Sequence, residues 1–198
     1  GVLREIERVC AGARVVGLEP ILQAAAIARR RVRCPVLVGT IQDRPLHTSF
    51  RLIGLFDVLE HIPDDAGALR DLRSLLEPGG RIVLTVPANP RLWSDFDTAS
   101  RHCRRYTATS LAVTVRAAGL RITYATHFMV LPQLAMHLRR RAPALERAHP
   151  STTIAHELRI IAVVNELAFL SLLPESMAVR LGLRIPTGAS LLAVLDRE

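Results

Sequence analysis

The sequence predicts an α/β domain whose strands run mostly parallel. Two observations carry that expectation. Strand-like apolar segments alternate with amphipathic helical ones through the first half of the chain, and Leu52 to Phe56 is apolar on nearly every residue. Alternation of helix and strand implies parallel strands joined by right-handed crossovers. A short, almost unbroken apolar run reads as a strand buried on both faces, as in the middle of a parallel sheet. A chain of 198 residues is long enough for one domain with its own core, so residues 1–198 are read as a single domain.

Each element has a local reason. Val2, Leu3, Ile6 and Val9 share one helical face, and Gly12 ends that helix. Ala13 to Leu18 is a short strand that stops at Glu19-Pro20, and Pro20 suits the first turn of a helix over Ile21 to Arg31. Cys34 to Gly39 is the next apolar strand, followed by the central strand at Leu52. Asp64-Asp65 then opens a helix with acids in its first turn. Leu69, Leu72, Leu75 and Leu76 form its core stripe, and Pro78-Gly79-Gly80 closes it. Arg81 to Val86 is a further buried strand. Thr107 caps a helix carrying Leu111, Val115 and Ala118, with Gly119 at its end. Leu120 to Thr126 alternates as a half-buried strand does. From His127 to Ile185 the pattern is an insert of helices: Leu131 to Arg141, Ile154 to Leu173 and Glu175 to Leu183.

Bulk properties narrow the function classes. The net charge is +8 and all 26 basic residues are arginine. Such a balance suits an anionic partner, but the absence of lysine points more simply to genomic base composition. No run has the uncharged length of a membrane span. The N-terminus lacks a basic region followed by an apolar one, and the three cysteines, Cys10, Cys34 and Cys103, form neither a disulfide framework nor a zinc spacing. The expectation is a cytoplasmic or membrane-peripheral protein with no metal ligands singled out.

Parallel sheets place ligands outside the carboxyl ends of their strands. Asp57, Glu60 and His61 follow the central strand, so they fall in that crevice. An imidazole there titrates near neutral pH and suits a base. Glu19 also ends a strand, where an acid can accept both hydroxyls of a ribose or simply serve the following helix as an N-terminal acid. The stretch from Arg91 to Thr107 holds the single Trp and one of two Tyr. Trp93, Arg105 and Tyr106, beside His102, read either as a lid that stacks on and hydrogen-bonds to a polar acceptor or as a structural flap.

The run Phe56-Asp57-Val58-Leu59-Glu60-His61-Ile62-Pro63-Asp64-Asp65, followed by Leu75-Leu76-Glu77-Pro78-Gly79-Gly80-Arg81-Ile82-Val83-Leu84-Thr85-Val86-Pro87, resembles the class I S-adenosylmethionine-dependent methyltransferases. The resemblance implies a Rossmann-like sheet, mostly parallel with an antiparallel C-terminal edge strand. Leu120 to Thr126 would pair there with Pro186 to Leu195, and residues 127–185 form a helical insert. It implies S-adenosyl-L-methionine as cofactor. Gly1 would be the last glycine of the family's Gly-x-Gly-x-Gly turn, and the family's first strand would be lacking ahead of it, which would leave a gap between the Val15 and Leu52 strands. Glu19 and Pro20 would hold the ribose side, and Thr40, Ile41 and Gln42 the adenine side. Phe56, Asp57 and Val58 would line the methionine side. Two residues depart from the family: Thr40 stands where an acid is frequent, and Arg51 where Asp is.

In methyl transfer the protein mainly aligns donor and acceptor. A base helps when the acceptor is a hydroxyl. His61 is the leading candidate, with lining of the methionine end as its other reading, and His102 is a second. The acceptor expected is a small molecule, a sugar or a lipid-linked glycan, methylated on oxygen. The insert would cover that acceptor, make a dimer or touch an anionic membrane through Arg139-Arg140-Arg141. The alternative is a catalytically silent module for assembly or membrane docking. Nucleic acid is not expected, because Pro87-Ala88-Asn89-Pro90 lacks the signature of nucleobase amino-methyltransferases. A dehydrogenase is disfavoured by the lack of Gly-x-Gly-x-x-Gly.

Overall fold

A computed structural model of the chain describes residues 2–43, 48–134 and 162–197. Helix α1 (Val2–Val9) leads to strand β1 (Gly17–Glu19), helix α2 (Leu22–Arg29) and strand β2 (Val36–Val38). Strand β3 (Phe50–Phe56), helix α3 (Asp65–Ser74) and strand β4 (Leu76–Pro87) follow. Then come short helix α4 (Asp95–Ala99), helix α5 (Ala108–Ala117), strand β5 (Leu120–Phe128), helix α6 (Ala162–Arg180) and strand β6 (Ser190–Arg197).

The strands form two sheets. β1 and β2 pair parallel, with Gly17 opposite Val36. The other sheet has the order β3-β4-β6-β5. β3 and β4 are parallel, with Ile53 opposite Ile82. β6 is antiparallel to both of its neighbours, with Val83 and Tyr124 each opposite Val194. The Leu120 strand and the C-terminal strand therefore pair antiparallel as expected, and β6 fills the slot between β4 and β5. Because β6 is reversed, Pro87 and Phe128 both lie opposite Ser190. The carboxyl ends of β3, β4 and β5 consequently share one edge.

One expectation is corrected. The Leu52 strand is not buried on both faces: Leu52 is 56% exposed, and only Leu55 of β3 is fully buried. The reason is topological, since β3 is the end strand of its sheet and pairs only with β4. β1 and β2 form a separate two-stranded sheet.

The core sits on β4. Ile82, Leu84 and Val86 alternate along it, each without accessible surface. They join Leu69 and Leu72 of α3, Leu111 and Val115 of α5, and Leu191, Ala193 and Leu195 of β6 in one cluster. Each fully buried leucine or isoleucine contributes about 1.5–3 kcal/mol. The helix starts follow their caps. Asp64 Oδ1 accepts from the Gly67 N–H at 2.8 Å, and Thr107 and Ser110 bond reciprocally at 2.9 and 3.0 Å.

In the insert, the two expected helices split at Pro174 are one helix, α6. A proline removes one backbone donor, and nearby Ser176 Oγ donates to the Leu173 carbonyl at 2.7 Å. Glu175 is buried and accepts from the N–H groups of Met129 and Val130 at 2.6 and 3.0 Å, which fixes α6 to the end of β5. Most of the expected helix from Leu131 to Arg141, including Arg139 to Arg141, lies outside the described residues. No described helix is long and apolar enough to cross a membrane.

Candidate active site

The carboxyl edge of the four-stranded sheet is marked by backbone outliers. Asp57 follows β3 at φ 53 and Asn89 follows β4 at φ 59. Non-glycine residues in this region are strained by roughly 1–3 kcal/mol and gather at functional sites. Asp57 is held there by Thr85: its N–H donates to the Thr85 carbonyl at 3.1 Å, and Thr85 Oγ1 donates to Asp57 Oδ1 at 3.3 Å. The Asp57 and Val58 side chains are exposed at the edge, and Phe56 is half-buried.

On the smaller sheet, Glu19 and the turn after β2 share one end, because β1 and β2 are parallel. Glu19 Oε1 accepts from the Ile21 N–H at 3.0 Å, which orients the carboxylate and leaves Oε2 for another donor. Pro20 is exposed beside it. Thr40 Oγ1 accepts from the Asp43 N–H at 3.0 Å and closes a turn. Gln42 is exposed, whereas half-buried Ile41 packs against the core of the larger sheet. Ile41 thus ties the end of β2 to that core. Gly1 lies outside the described residues.

The stretch 91–107 folds over the residues that follow β3. The Cys103 N–H donates to the Glu60 carbonyl at 2.7 Å. Arg104 donates to the Pro63 carbonyl at 2.6 Å and pairs with Asp65 at 2.7 Å. This stitching brings His102 onto His61, edge to face, with ring centroids 4.7 Å apart. The two candidate bases are therefore neighbours. His61 is exposed; His102 is nearly buried, and its Nδ1 meets Asp97 Oδ1 at 2.9 Å.

Asp97 organises this flap. It has no accessible surface and takes a two-pronged pair from Arg105, at 2.8 and 3.0 Å. It also accepts from the Ser94 N–H at 2.8 Å. Burial alone would push its carboxyl up, but the hydrogen bonds from Arg105, His102 and Ser94 outweigh that and hold it below its usual range. His61, though exposed at its edge, is pushed down, first by partial desolvation under the flap and then by the adjacent His102; backbone hydrogen bonds to Arg101 and Ser100 and the Asp57 charge oppose this. It is therefore mostly neutral at neutral pH and able to take a proton. Glu60, beside His61 in the chain, is fully buried and pushed up to about 7, chiefly by burial, with Asp57 and Asp97 adding to it and a backbone hydrogen bond at Glu60 and the Arg105 charge opposing it.

Arg105 and Tyr106 build the flap rather than line its surface, which corrects their reading as substrate contacts. Arg105 is buried against Asp97 and donates to the Ala88 carbonyl at 3.1 Å. Tyr106 is 1% exposed, and its hydroxyl donates to Asp65 Oδ2 at 2.8 Å. Trp93 is the one of the three on the surface, 38% exposed, with Nε1 donating to Thr98 Oγ1 at 3.2 Å. Asp97 was not singled out by sequence reasoning. Its signal was the spacing Ser94-x-x-Asp97, a helix-start box that hides its second task.

Residues 1–125 match the family described as a methyltransferase domain. An uncharacterised 37.1 kDa protein in transposon TN4556 of Streptomyces fradiae is 34% identical over 88 residues, 42% of this chain and 26% of that protein. The ubiquinone biosynthesis O-methyltransferase of Aeromonas salmonicida is 28% identical over 90 residues, 41% of this chain and 38% of its own length. The matched stretch spans well under half of either relative. Among solved structures, a SAM-dependent methyltransferase from Thermotoga maritima superposes with a TM-score of 0.60 at 17% identity, covering 100% of this chain and 79% of that one. The O-methyltransferase NcsB1 from neocarzinostatin biosynthesis, solved with S-adenosylhomocysteine and 1,4-dihydroxy-2-naphthoic acid, gives 0.53 at 19% identity, covering 63% and 42%.

Proposed function

The chain belongs to the methyltransferase-domain family, and we propose that it transfers a methyl group from S-adenosyl-L-methionine to an oxygen of a small-molecule, sugar or lipid-linked acceptor. The observation that carries this reading is the contact of His61 with His102 past the end of β3, with Asp97 behind. A neutral imidazole at a strand end, partnered by a second imidazole that a buried carboxylate orients, suits removal of a proton from a hydroxyl. The relative named for ubiquinone biosynthesis is an O-methyltransferase, which supports an oxygen acceptor.

The donor set fits the cofactor's parts. Glu19 has a carboxylate oxygen left for a ribose hydroxyl, Ile41 offers an apolar face for a purine, and Asp57 is a carboxylate for an ammonium group. The cofactor supplies an activated methyl with its own leaving group. What this chain's residues do is position the acceptor and hold its proton. His61 accepts that proton, His102 holds the His61 ring edge-on, and Asp97 holds His102. Trp93 gives the flap an exposed aromatic face for the acceptor. The insert is tied by Glu175 to the end of β5, on the same sheet edge as the flap, which supports a role in covering the acceptor.

The test is methyl transfer to a panel of phenolic, sugar and amine acceptors, followed for the wild type and His61→Ala. Transfer to hydroxyl acceptors, lowered roughly 100-fold or more in kcat by the substitution, supports the proposal. Transfer only to amines, or activity indifferent to His61, overturns it.

A further inference from the structure

Glu60 is the least satisfied group among the described residues. Its side chain has no accessible surface, yet neither Oε1 nor Oε2 has a hydrogen-bond partner. Buried carboxylate oxygens are nearly always bonded, and one left bare costs stability unless something else reaches it. Arg105, whose charge acts on Glu60, is occupied by Asp97 and the Ala88 carbonyl.

Two imidazoles stand beside that bare carboxylate. Glu60, His61 and His102 each offer one ligand atom, and these atoms all lie within 4.8 Å of one another. Ligands at about 2.0–2.2 Å from a shared ion sit about 3–3.5 Å apart, so small side-chain rotations close the set. His102 also carries the support that metal-bound histidines have: its Nδ1 meets a buried carboxylate at 2.9 Å, which leaves Nε2 as the lone-pair nitrogen. Asp97 is itself fixed by Arg105.

We propose that Glu60, His61 and His102 form a binding site for a divalent transition-metal ion of the zinc type. Two nitrogens and one carboxylate favour Zn²⁺, Co²⁺ or a neighbouring ion over Mg²⁺ or Ca²⁺, which take oxygen ligands. Three protein ligands leave a coordination position open, as catalytic rather than structural sites do. The inference shares His61 and His102 with the methyl-transfer reading but does not depend on it, because binding is read without cofactor or acceptor; a His61 that ligates the ion is not free to take the acceptor's proton, so the two roles belong to the metal-bound and metal-free protein.

The test uses chelator-treated protein titrated with Zn²⁺ by calorimetry and with Co²⁺ by visible absorption, with Mg²⁺ as comparison. Expected are one ion per chain, a Co²⁺ spectrum of low coordination number and a raised melting temperature, with little response to Mg²⁺. Affinity falls at least 10-fold in Glu60→Gln and in His102→Ala, and 10–100-fold in Asp97→Asn, which removes no ligand but weakens both the support of His102 and the Arg105 pair. Cys103→Ser, which alters a thiol 3.6 Å from the His61 carbonyl, binds as the wild type does. Far-UV circular dichroism establishes that each variant is folded. A folded wild type that takes up no Zn²⁺ or Co²⁺ overturns the proposal. So does uptake unchanged in Glu60→Gln and His102→Ala, or lost in Cys103→Ser.

Discussion

Glu60→Gln is predicted to stabilise the metal-free protein at alkaline pH and to leave it nearly unchanged under acid. Glu60 has no exposed surface and no partner for either oxygen, and its ionisation is pushed from 4.5 up to about 7. Its folded value lies above its unfolded one, so the native state holds the proton more tightly. The associated stability is present below 4.5 and is lost as pH rises through 7. A displacement of that size corresponds to about 3 kcal/mol in full, most of which falls between pH 5 and pH 8. Glutamine carries no charge and has nearly the same shape, so it removes the loss. Urea unfolding of wild type and variant at both pH values, with a chelator present, reads the difference directly. Equal stability at pH 8, or a gain of the same size at pH 5, would show that Glu60 is not a buried carboxylate without partners.

Other perturbations test neighbouring parts. Asp97→Ala leaves the Arg105 guanidinium buried beside nothing of opposite charge, and breaking such a pair costs about 3–5 kcal/mol; a loss below 1 kcal/mol by urea unfolding would count against the flap's anchor. Tyr106→Phe removes the 2.8 Å bond to Asp65 and is expected to cost about 1–2 kcal/mol with methyl transfer retained, whereas lost transfer in a stable variant would return Tyr106 to the acceptor. Leu84→Ala, in the middle of β4 and without exposed surface, should cost about 3–5 kcal/mol, read from the shift in the urea midpoint.

Much of the architecture was legible, and for identifiable reasons. β4 announced itself because Ile82, Leu84 and Val86 are apolar at alternate positions, but its start was misplaced: the strand begins at Leu76 and runs through Pro78-Gly79-Gly80, which the sequence reads as the end of the helix. α3 and α5 carried their caps, Asp64 and Thr107, in plain view. β3 misled in one respect. Its apolar run reads as a strand covered on both sides, but burial depends on which strands flank it, and that is not a local property. Pro174 also misled, since a proline ends a helix by local rules, yet α6 continues through it.

The site was legible by type and not by contact. His61 and His102 were each singled out, but nothing in their spacing says that the flap brings the rings together. Arg105 and Tyr106 were read as acceptor contacts because polar and aromatic residues in a loop so often are. Their partners, Asp97 and Asp65, are what bury them, and those pairings exist only in the folded chain. Glu60 looks like an ordinary acid beside a histidine, and its isolation becomes visible only once the flap closes over it.

The cofactor site proposed for this chain lies at the ends of β1, β2 and β3. Calorimetric titration with S-adenosylhomocysteine, beside a Glu19→Ala variant, tests it most directly. Binding by the wild type is expected, with a roughly 10–100-fold loss in the variant, the worth of one or two hydrogen bonds to a charged acceptor. A folded chain that binds nothing, or binds equally well without Glu19, would contradict it and favour a catalytically silent module.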